Sequence, residues 1–393
     1  MNELLQNLNP FLPGEVQIIE DDGLLRLMTE DGKPCGIVDV DEKGQLIGFD
    51  LQIVLPEGEK TDAEAVAARF SSVFYPEARN VLQIEQMENI FVIQLSETDP
   101  IHQLPIPNTG LTVEIHESGI VTAAQLYRNA YTLIENADPM LVAEAKEKLL
   151  AEAPVMLAVQ RDKLQYKLSD QVIGVHTNGT VLYTDFPPEL TDIKMDGEHK
   201  DWRSLMGMTE DFVNYHDEDG MQLWAEKQLL NQAAEDISDQ IAVRQNEDVL
   251  FYSGATPWKK GVKMREDELE QQAIQFLAAV SEQPIGEWKL AGSLLAPDAA
   301  IEDELEPAYV FLFTYTKEGL PVDGKEASIH VGIYSGLIRE CIIDRVPDAV
   351  TAIKELPSLQ QMKHQIGDSL ELQLAWAPLQ EEHHYELVYV IRK

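Results

Sequence analysis

Cysteine is nearly absent from this chain: two residues, Cys35 and Cys341, in 393. A disulfide framework uses more cysteines at regular spacing, so two isolated thiols suit a reducing compartment. Basic residues are scarce as well. Lys and Arg total 30 against 69 Asp and Glu, a formal net charge of −39. Such a surface repels phosphate backbones and lacks the basic footprint that nucleic-acid binding needs. Anionic lipid is disfavoured by the same sign. Cationic peptides, divalent cations and a protein partner stay open, and solubility alone is the simplest account of the charge. No apolar run approaches the roughly 18 residues of a membrane span. The segment Met1 to Pro10 has neither a basic n-region nor an apolar h-region, so the expectation is a cytoplasmic protein without a membrane partner.

Chemical motifs are missing too. There is no Gly-x-Ser-x-Gly elbow, no P-loop, no Gly-x-Gly-x-x-Gly and no His-Glu-x-x-His. No catalytic residue and no cofactor can therefore be nominated. His383 and His384 are adjacent; neighbours on a strand point to opposite faces, which suits a polar loop better than a shared metal. Cys341 lies in the apolar run Ile338 to Ile343, where a buried inert thiol is expected.

What is present is an ordinary globular balance, 44% hydrophobic and 25% charged, in a chain long enough for two domains of about 150–200 residues. It also repeats itself. The alternating run Phe91, Ile93, Leu95 returns as Tyr309, Phe311, Phe313, and Leu111, Val113, Ile115 returns as Ile329, Val331, Ile333, each at an offset of 218. Period-two apolar runs read as strands. A proline-bearing connector separates the strands of each pair, Leu104 to Pro107 and Gly319 to Val322. Ser118-Gly119 and Ser335-Gly336 follow at an offset of 217, where glycine supplies the positive φ of a tight turn. A helix precedes each set: Ala63, Ala67, Phe70 and Phe74 in a helix opened by the capping segment Thr61-Asp62-Ala63-Glu64, and Leu269, Ala273, Phe276 and Val280. Downstream, Val155, Leu157 and Val159 match Leu372, Leu374 and Trp376. A helix with Leu141, Ala145 and Leu149 on one face leads into the first of these. Ile173 to Tyr183 reads as a hairpin around Asn178-Gly179 with no counterpart in the second half.

Together these imply an α+β protein of two tandem copies of a helix-plus-antiparallel-sheet unit. The expected organisation is residues 1–192, a linker over 193–200, and residues 201–393.

Two features are candidates for binding. The acidic turns Glu20-Asp21-Asp22-Gly23 and Asp217-Glu218-Asp219-Gly220 recur at an offset of 197. Calcium prefers carboxylate oxygens, which nominates Asp21, Asp22, Asp217 and Asp219 as a metal set; neither turn has EF-hand spacing, and a plain hairpin turn is the alternative. All five tryptophans follow residue 200. Trp224 and Trp376 lie in alternating strands and read as core. Trp202 and Trp258 sit beside basic residues, a pattern enriched at interfaces; packing inside the protein is the alternative.

The order strand, Leu-Pro, strand, Ser-Gly turn, strand after a helix resembles the PepSY-like modules of the YcdB/YcdC repeat family. Tyr309 to Phe313, Gly319 to Val322 and Ile329 to Gly336 carry the resemblance. It implies an α+β fold without an established catalytic residue, and it would allow an extracytoplasmic role in protein regulation. The function expected is thus a non-catalytic protein-interaction or regulatory module. The alternatives are an enzyme with a site in the cleft between the copies and a structural, cation-binding acidic protein.

Overall fold

The computed structural model describes residues 2–21, 24–53, 55, 61–136, 139–160, 163–185, 188–197, 199–231, 240–246, 248–296, 306–379 and 381–392. The chain divides into two compact units. Unit 1 comprises Met1–Leu149, Gly174–Leu182 and Glu371–Lys393; unit 2 comprises Leu150–Ile173 and Tyr183–Leu370.

Unit 1 opens with α1 (Asn2–Leu8), followed by β1 (Val16–Asp21), β2 (Leu24–Thr29), β3 (Pro34–Val40), β4 (Leu46–Leu51), α2 (Ala63–Phe74), β5 (Asn80–Met87), β6 (Ile90–Ser96), β7 (Gly110–His116) and β8 (Val121–Tyr127). The eight strands form one antiparallel sheet in the order β1-β2-β3-β4-β8-β7-β6-β5. Asp62 caps α2 by accepting from the Ala65 N–H, as Asp in a first turn favours. The helix buries Ala63, Val66, Ala67, Phe70 and Phe74, a 3.6-period stripe. Phe70 packs edge-on to Phe11 at 5.0 Å and against Phe74 at 4.6 Å. Losing such a buried ring costs about 3–5 kcal/mol.

The chain continues through β9 (Thr132–Ile134), α3 (Val142–Glu152), β10 (Val155–Gln160), β11 (Lys163–Leu168), β12 (Val172–His176), β13 (Val181–Tyr183) and β14 (Thr191–Asp192). Gly179 takes φ +96° in the β12–β13 turn, as the Asn-Gly pair implies. One detail departs from the expected helix face. Ala145 and Leu149 are buried, but Leu141 is 68% exposed, because α3 starts only at Val142 and Leu141 lies before its first turn.

Then come α4 (Trp202–Leu205), β15 (Phe212–Glu218), β16 (Met221–Glu226), β17 (Gln240–Gln245), β18 (Val249–Gly254), α5 (Glu266–Val280), β19 (Trp288–Leu295), β20 (Ala308–Lys317), β21 (Leu320–Gly332), β22 (Ile338–Asp344), α6 (Asp348–Thr351), α7 (Leu359–Ser369), β23 (Leu372–Pro378) and β24 (His384–Ile391). In unit 2 the order is β15-β16-β17-β18-β22-β21-β20-β19, with β14 beyond β19. Rank for rank, this is the order found in unit 1. α5 buries Leu269, Ala273, Ile274, Phe276 and Leu277, and Phe276 meets Tyr252 edge-on at 5.4 Å. Also in unit 2, β10 joins β21 in parallel at Leu157 and Val322, with β11 antiparallel beyond it.

The remaining sheet runs β13-β12-β24-β23, with β9 parallel to β24. Its apolar centre, Ile106, Trp376, Tyr385 and Leu387, belongs to unit 1. The whole is an α+β fold dominated by antiparallel sheet. Among the described residues, no helix is long and apolar enough to cross a membrane.

Candidate functional site

Three of the four candidate acids, Asp21, Asp217 and Asp219, fall on a hairpin turn or near a strand end. Asp21 ends β1 and meets Arg26 Nε at 3.1 Å. Asp22 lies outside the described residues. In the β15–β16 hairpin, Asp219 and Gly220 both have positive φ, +51° and +76°, the backbone of a two-residue type I′ turn. Asp217 Oδ2 accepts from Gln222 Nε2 at 3.1 Å and from Asn214 Nδ2 at 3.4 Å. Among the described residues, no group of three or more His, Cys, Asp or Glu is placed to hold a metal ion. His383 and His384 sit at the β23–β24 turn, each 3.5 Å from a different glutamate, Glu382 and Glu381.

The two candidate tryptophans are half-buried. Trp202 meets Tyr252 edge-on at 5.4 Å, and the Arg203 guanidinium lies 5.1 Å from its ring and 5.3 Å from that of Trp224. Trp258 stacks on Tyr334 at 5.7 Å with the rings 6° from parallel. Trp376 is buried. Trp224 is only half-buried and packs against the core from its side.

Buried Asp99 and Glu306, and half-buried Glu97 and Glu287, carry more structure than the sequence reveals. Asp99, 1% exposed, accepts from the N–H groups of Ile101 at 2.9 Å, His102 at 2.6 Å and Leu104 at 2.9 Å, and from the Trp376 indole at 3.0 Å. Burial alone would raise its pKa; the indole and the three backbone donors outweigh that and hold the carboxyl below the ordinary aspartate value. Glu97 accepts from the hydroxyls of Tyr75 and Tyr131. Burial, and then the Glu97 hydrogen bond, push the Tyr131 phenol up to about 12 and the Tyr75 phenol higher still. In unit 2, Glu287 accepts from the Tyr315 hydroxyl and from Lys317 Nζ at 3.1 Å.

Glu306, with a fully buried side chain, pairs with Arg339. It also accepts from the N–H groups of Tyr334 at 2.8 Å and Ser335 at 2.7 Å, and from Ser335 Oγ at 2.6 Å. Arg339 also donates to the carbonyl and hydroxyl of Thr256 and to Ser335 Oγ. Asp99 and Glu306 each accept at least four hydrogen bonds from donors of their own units, which suits anchoring rather than proton transfer. The thiols match that picture. Cys35 and Cys341 are buried, and burial drives the Cys341 pKa well up, away from nucleophilic thiolate.

Sequence reasoning missed these acids. Arg339 was the available signal: a charge inside the apolar run Ile338 to Ile343 must find a partner. Glu306 closes the acidic stretch Glu302 to Glu306 and so looks like one more loop residue.

The unusual surface is an edge. β5 closes the unit 1 sheet, and among the described residues no strand pairs with its outer side. From Val81 to Met87 every residue is exposed, including Val81 at 41%, Leu82 at 42%, Ile84 at 43% and Met87 at 57%. The strand contains no Lys, Arg or Pro, the residues that usually protect a free edge. A single irregularity interrupts its pairing with β6, between Val81 and Gln83. The concave surfaces are less specific: a groove of about 590 Å³ along Tyr166, Ile353 and Pro357 in unit 2, and one of about 450 Å³ along Val16, Cys35 and Leu51 in unit 1.

No protein-family model and no characterised protein sequence matches the chain. Among solved structures it has a weak likeness to the Bacillus megaterium YpeB C-terminal domain, at 9% identity and a TM-score of 0.31, covering 88% of this chain and 96% of that one.

Proposed function

We propose that this protein is a non-catalytic protein-interaction or regulatory module made of two tandem PepSY-like units, 1–192 and 201–393, joined by 193–200. The identical rank order of the two eight-stranded sheets, each with its helix between the fourth and fifth strands, supports the duplication. The resemblance to the YcdB/YcdC repeats supports the family reading. The observation that carries the function is the β5 edge. A long strand with unpaired backbone groups and exposed apolar side chains is a template for another chain, while the buried acids are fully engaged. Trp258 with Tyr334, beside Lys259 and Lys260, is a second contact candidate.

A photo-crosslinking residue at Leu82, compared with one at exposed Leu359 on α7, tests the reading in the source cell. A crosslink formed at Leu82 alone, and lost in the Leu82→Asp/Ile84→Asp variant, is the expected result. A hydrolytic activity abolished by one Asp, Glu or His substitution would replace the interaction reading with an enzymatic one.

A further inference from the structure

We infer that the β5 edge receives a short extended segment of a partner protein, added antiparallel, which carries a Lys or Arg at its centre among apolar residues. The inference rests on the interaction reading above and names the partner's chemistry.

The matched edge in unit 2 provides the pattern. β19 holds the same rank in its sheet as β5, and it is covered. Thr191 and Asp192 of β14 pair antiparallel with Leu290 and Lys289. An opposite charge fixes that cover, with Lys289 Nζ 2.6 Å from Asp192 Oδ1. The edge strand carries the cation and the covering segment carries the anion. β19 also starts on a buried anchor, Trp288.

β5 reverses the sign. Its one charged residue is Glu85, exposed at mid-strand; Glu88 follows the strand, and Glu77 and the exposed Arg79 precede it, so the cation lies outside the strand at its far end from Glu88. Gln83 Nε2 donates to Glu85 Oε1, which leaves Oε2 for an incoming donor. A cation on the partner strand opposite Glu85 completes the pair that Lys289 and Asp192 make at the other edge. Cross-strand opposite charges stabilise and like charges destabilise. The apolar residues Val81, Leu82, Ile84 and Met87 point to both sides of the strand, so the partner contributes apolar side chains on both of its faces. A second copy of this chain is a poor occupant. It would bring another −39 charges and a strand with no cation of its own. A cationic partner is drawn to the same field.

The test is amide hydrogen exchange on the full chain with three ten-residue probe peptides. Each alternates Val and Thr and carries two central Lys, two Gln or two Glu. The Lys peptide should slow exchange across residues 80–87 and leave 16–21 at the opposite edge unchanged. It should bind at least about tenfold more tightly than the Glu peptide at low salt, with the preference shrinking by 0.5 M sodium chloride. Glu85→Lys, a change at an exposed position, should invert the order of the peptides. Equal protection by all three peptides would overturn the cationic partner while leaving the edge as an interaction site. Absence of protection by any peptide, with the Leu82 crosslink intact, would overturn the extended-strand occupant. Absence of both would remove the interaction reading itself. Protection of 80–87 that grows with protein concentration alone would assign the edge to a second copy and overturn the proposal.

Discussion

In unit 1 the turn at Ser118-Gly119 is held by His116: its Nδ1 lies 2.7 Å from Ser118 Oγ, its Nε2 lies 3.0 Å from Asn89 Nδ2, and the glycine packs under Thr61. In unit 2 the matching turn, Ser335-Gly336, is held by Glu306 and Arg339 and packs under Met264. Both glycines keep positive φ, +85° and +67°. In each unit the segment leading into the helix donates to the strand end beside the turn, Thr61 N–H to Glu117 O and Met264 N–H to Ile333 O, both at 2.8 Å. The backbone is the constant, and the side chains that secure it differ in kind: a hydrogen-bonded imidazole in one case, a buried ion pair in the other.

The tyrosine–carboxylate pairs teach the same lesson by exchange. In unit 1 the tyrosine follows the helix and the acid follows β6, as Tyr75 and Glu97. In unit 2 the acid follows the helix and the tyrosine sits near the end of β20, as Glu287 and Tyr315. Glu97 and Tyr315 stand at the 218-residue offset of the strands they extend. One hydrogen bond is made twice with donor and acceptor transposed.

The largest contrast should appear at the turns. Arg339→Met leaves Glu306 buried without its counter-charge and should cost about 3–5 kcal/mol. His116→Ala removes the contacts to Ser118 and Asn89 and should cost about 1–3 kcal/mol. Urea unfolding followed by tryptophan fluorescence, which reports unit 2 closely, measures the first; hydrogen exchange in β7 and β8 measures the second. Equal costs would break the distinction between the ion-pair clamp and the imidazole clamp.

Next is Asp99. Its folded pKa lies below the ordinary value of about 3.9, so its contribution is fully present above that pH. It is lost as pH falls through the lower folded value. Wild type should therefore lose stability more steeply than Asp99→Asn between about pH 4 and pH 2, which circular dichroism during acid titration reads. A parallel pair of curves would mean that Asp99 is not the group that titrates.

Smaller again are the transposed pairs. Tyr75→Phe and Tyr315→Phe should each cost about 1 kcal/mol, and similar values would confirm that the hydrogen bond outlasts the exchange of its ends. The smallest effect concerns the −39 surface, which both units share. The melting temperature should rise by a few degrees with sodium chloride as the Debye length falls from about 30 Å to 10 Å. Calcium at matched ionic strength should add nothing. A calcium-specific rise lost with Asp21→Asn and Asp219→Asn would make the acidic turns a metal site.

Much of the fold was legible because each α2-like helix and each central strand has one buried face, and burial writes a period into the sequence. Phe70 and Phe276 on the helices, and Ile93 and Phe311 on the strands, are buried where their periods place them. β5 left no such mark. Both of its faces meet solvent, and the irregularity at Val81 and Gln83 shifts its phase, so Val81, Leu82, Ile84 and Met87 follow no single period. The surface with the best claim to function was the least readable strand of its sheet. The carboxylate anchors were illegible for another reason. The donors of Asp99 include an indole far away in sequence, and no local pattern encodes such a pairing.

The composition of unit 1 has a consequence for how the protein is made. Residues 1–149 share that unit with Glu371–Lys393, a segment made more than 200 residues later. At roughly 5–20 residues per second, on the order of ten seconds or more separates Asp99 from the indole of Trp376. During that interval Ile106 lacks the apolar neighbours Trp376, Tyr385 and Leu387 that surround it in the finished protein. The earlier segment is thus completed only after the later one has been made, and a nascent-chain binder would find its target in that waiting surface.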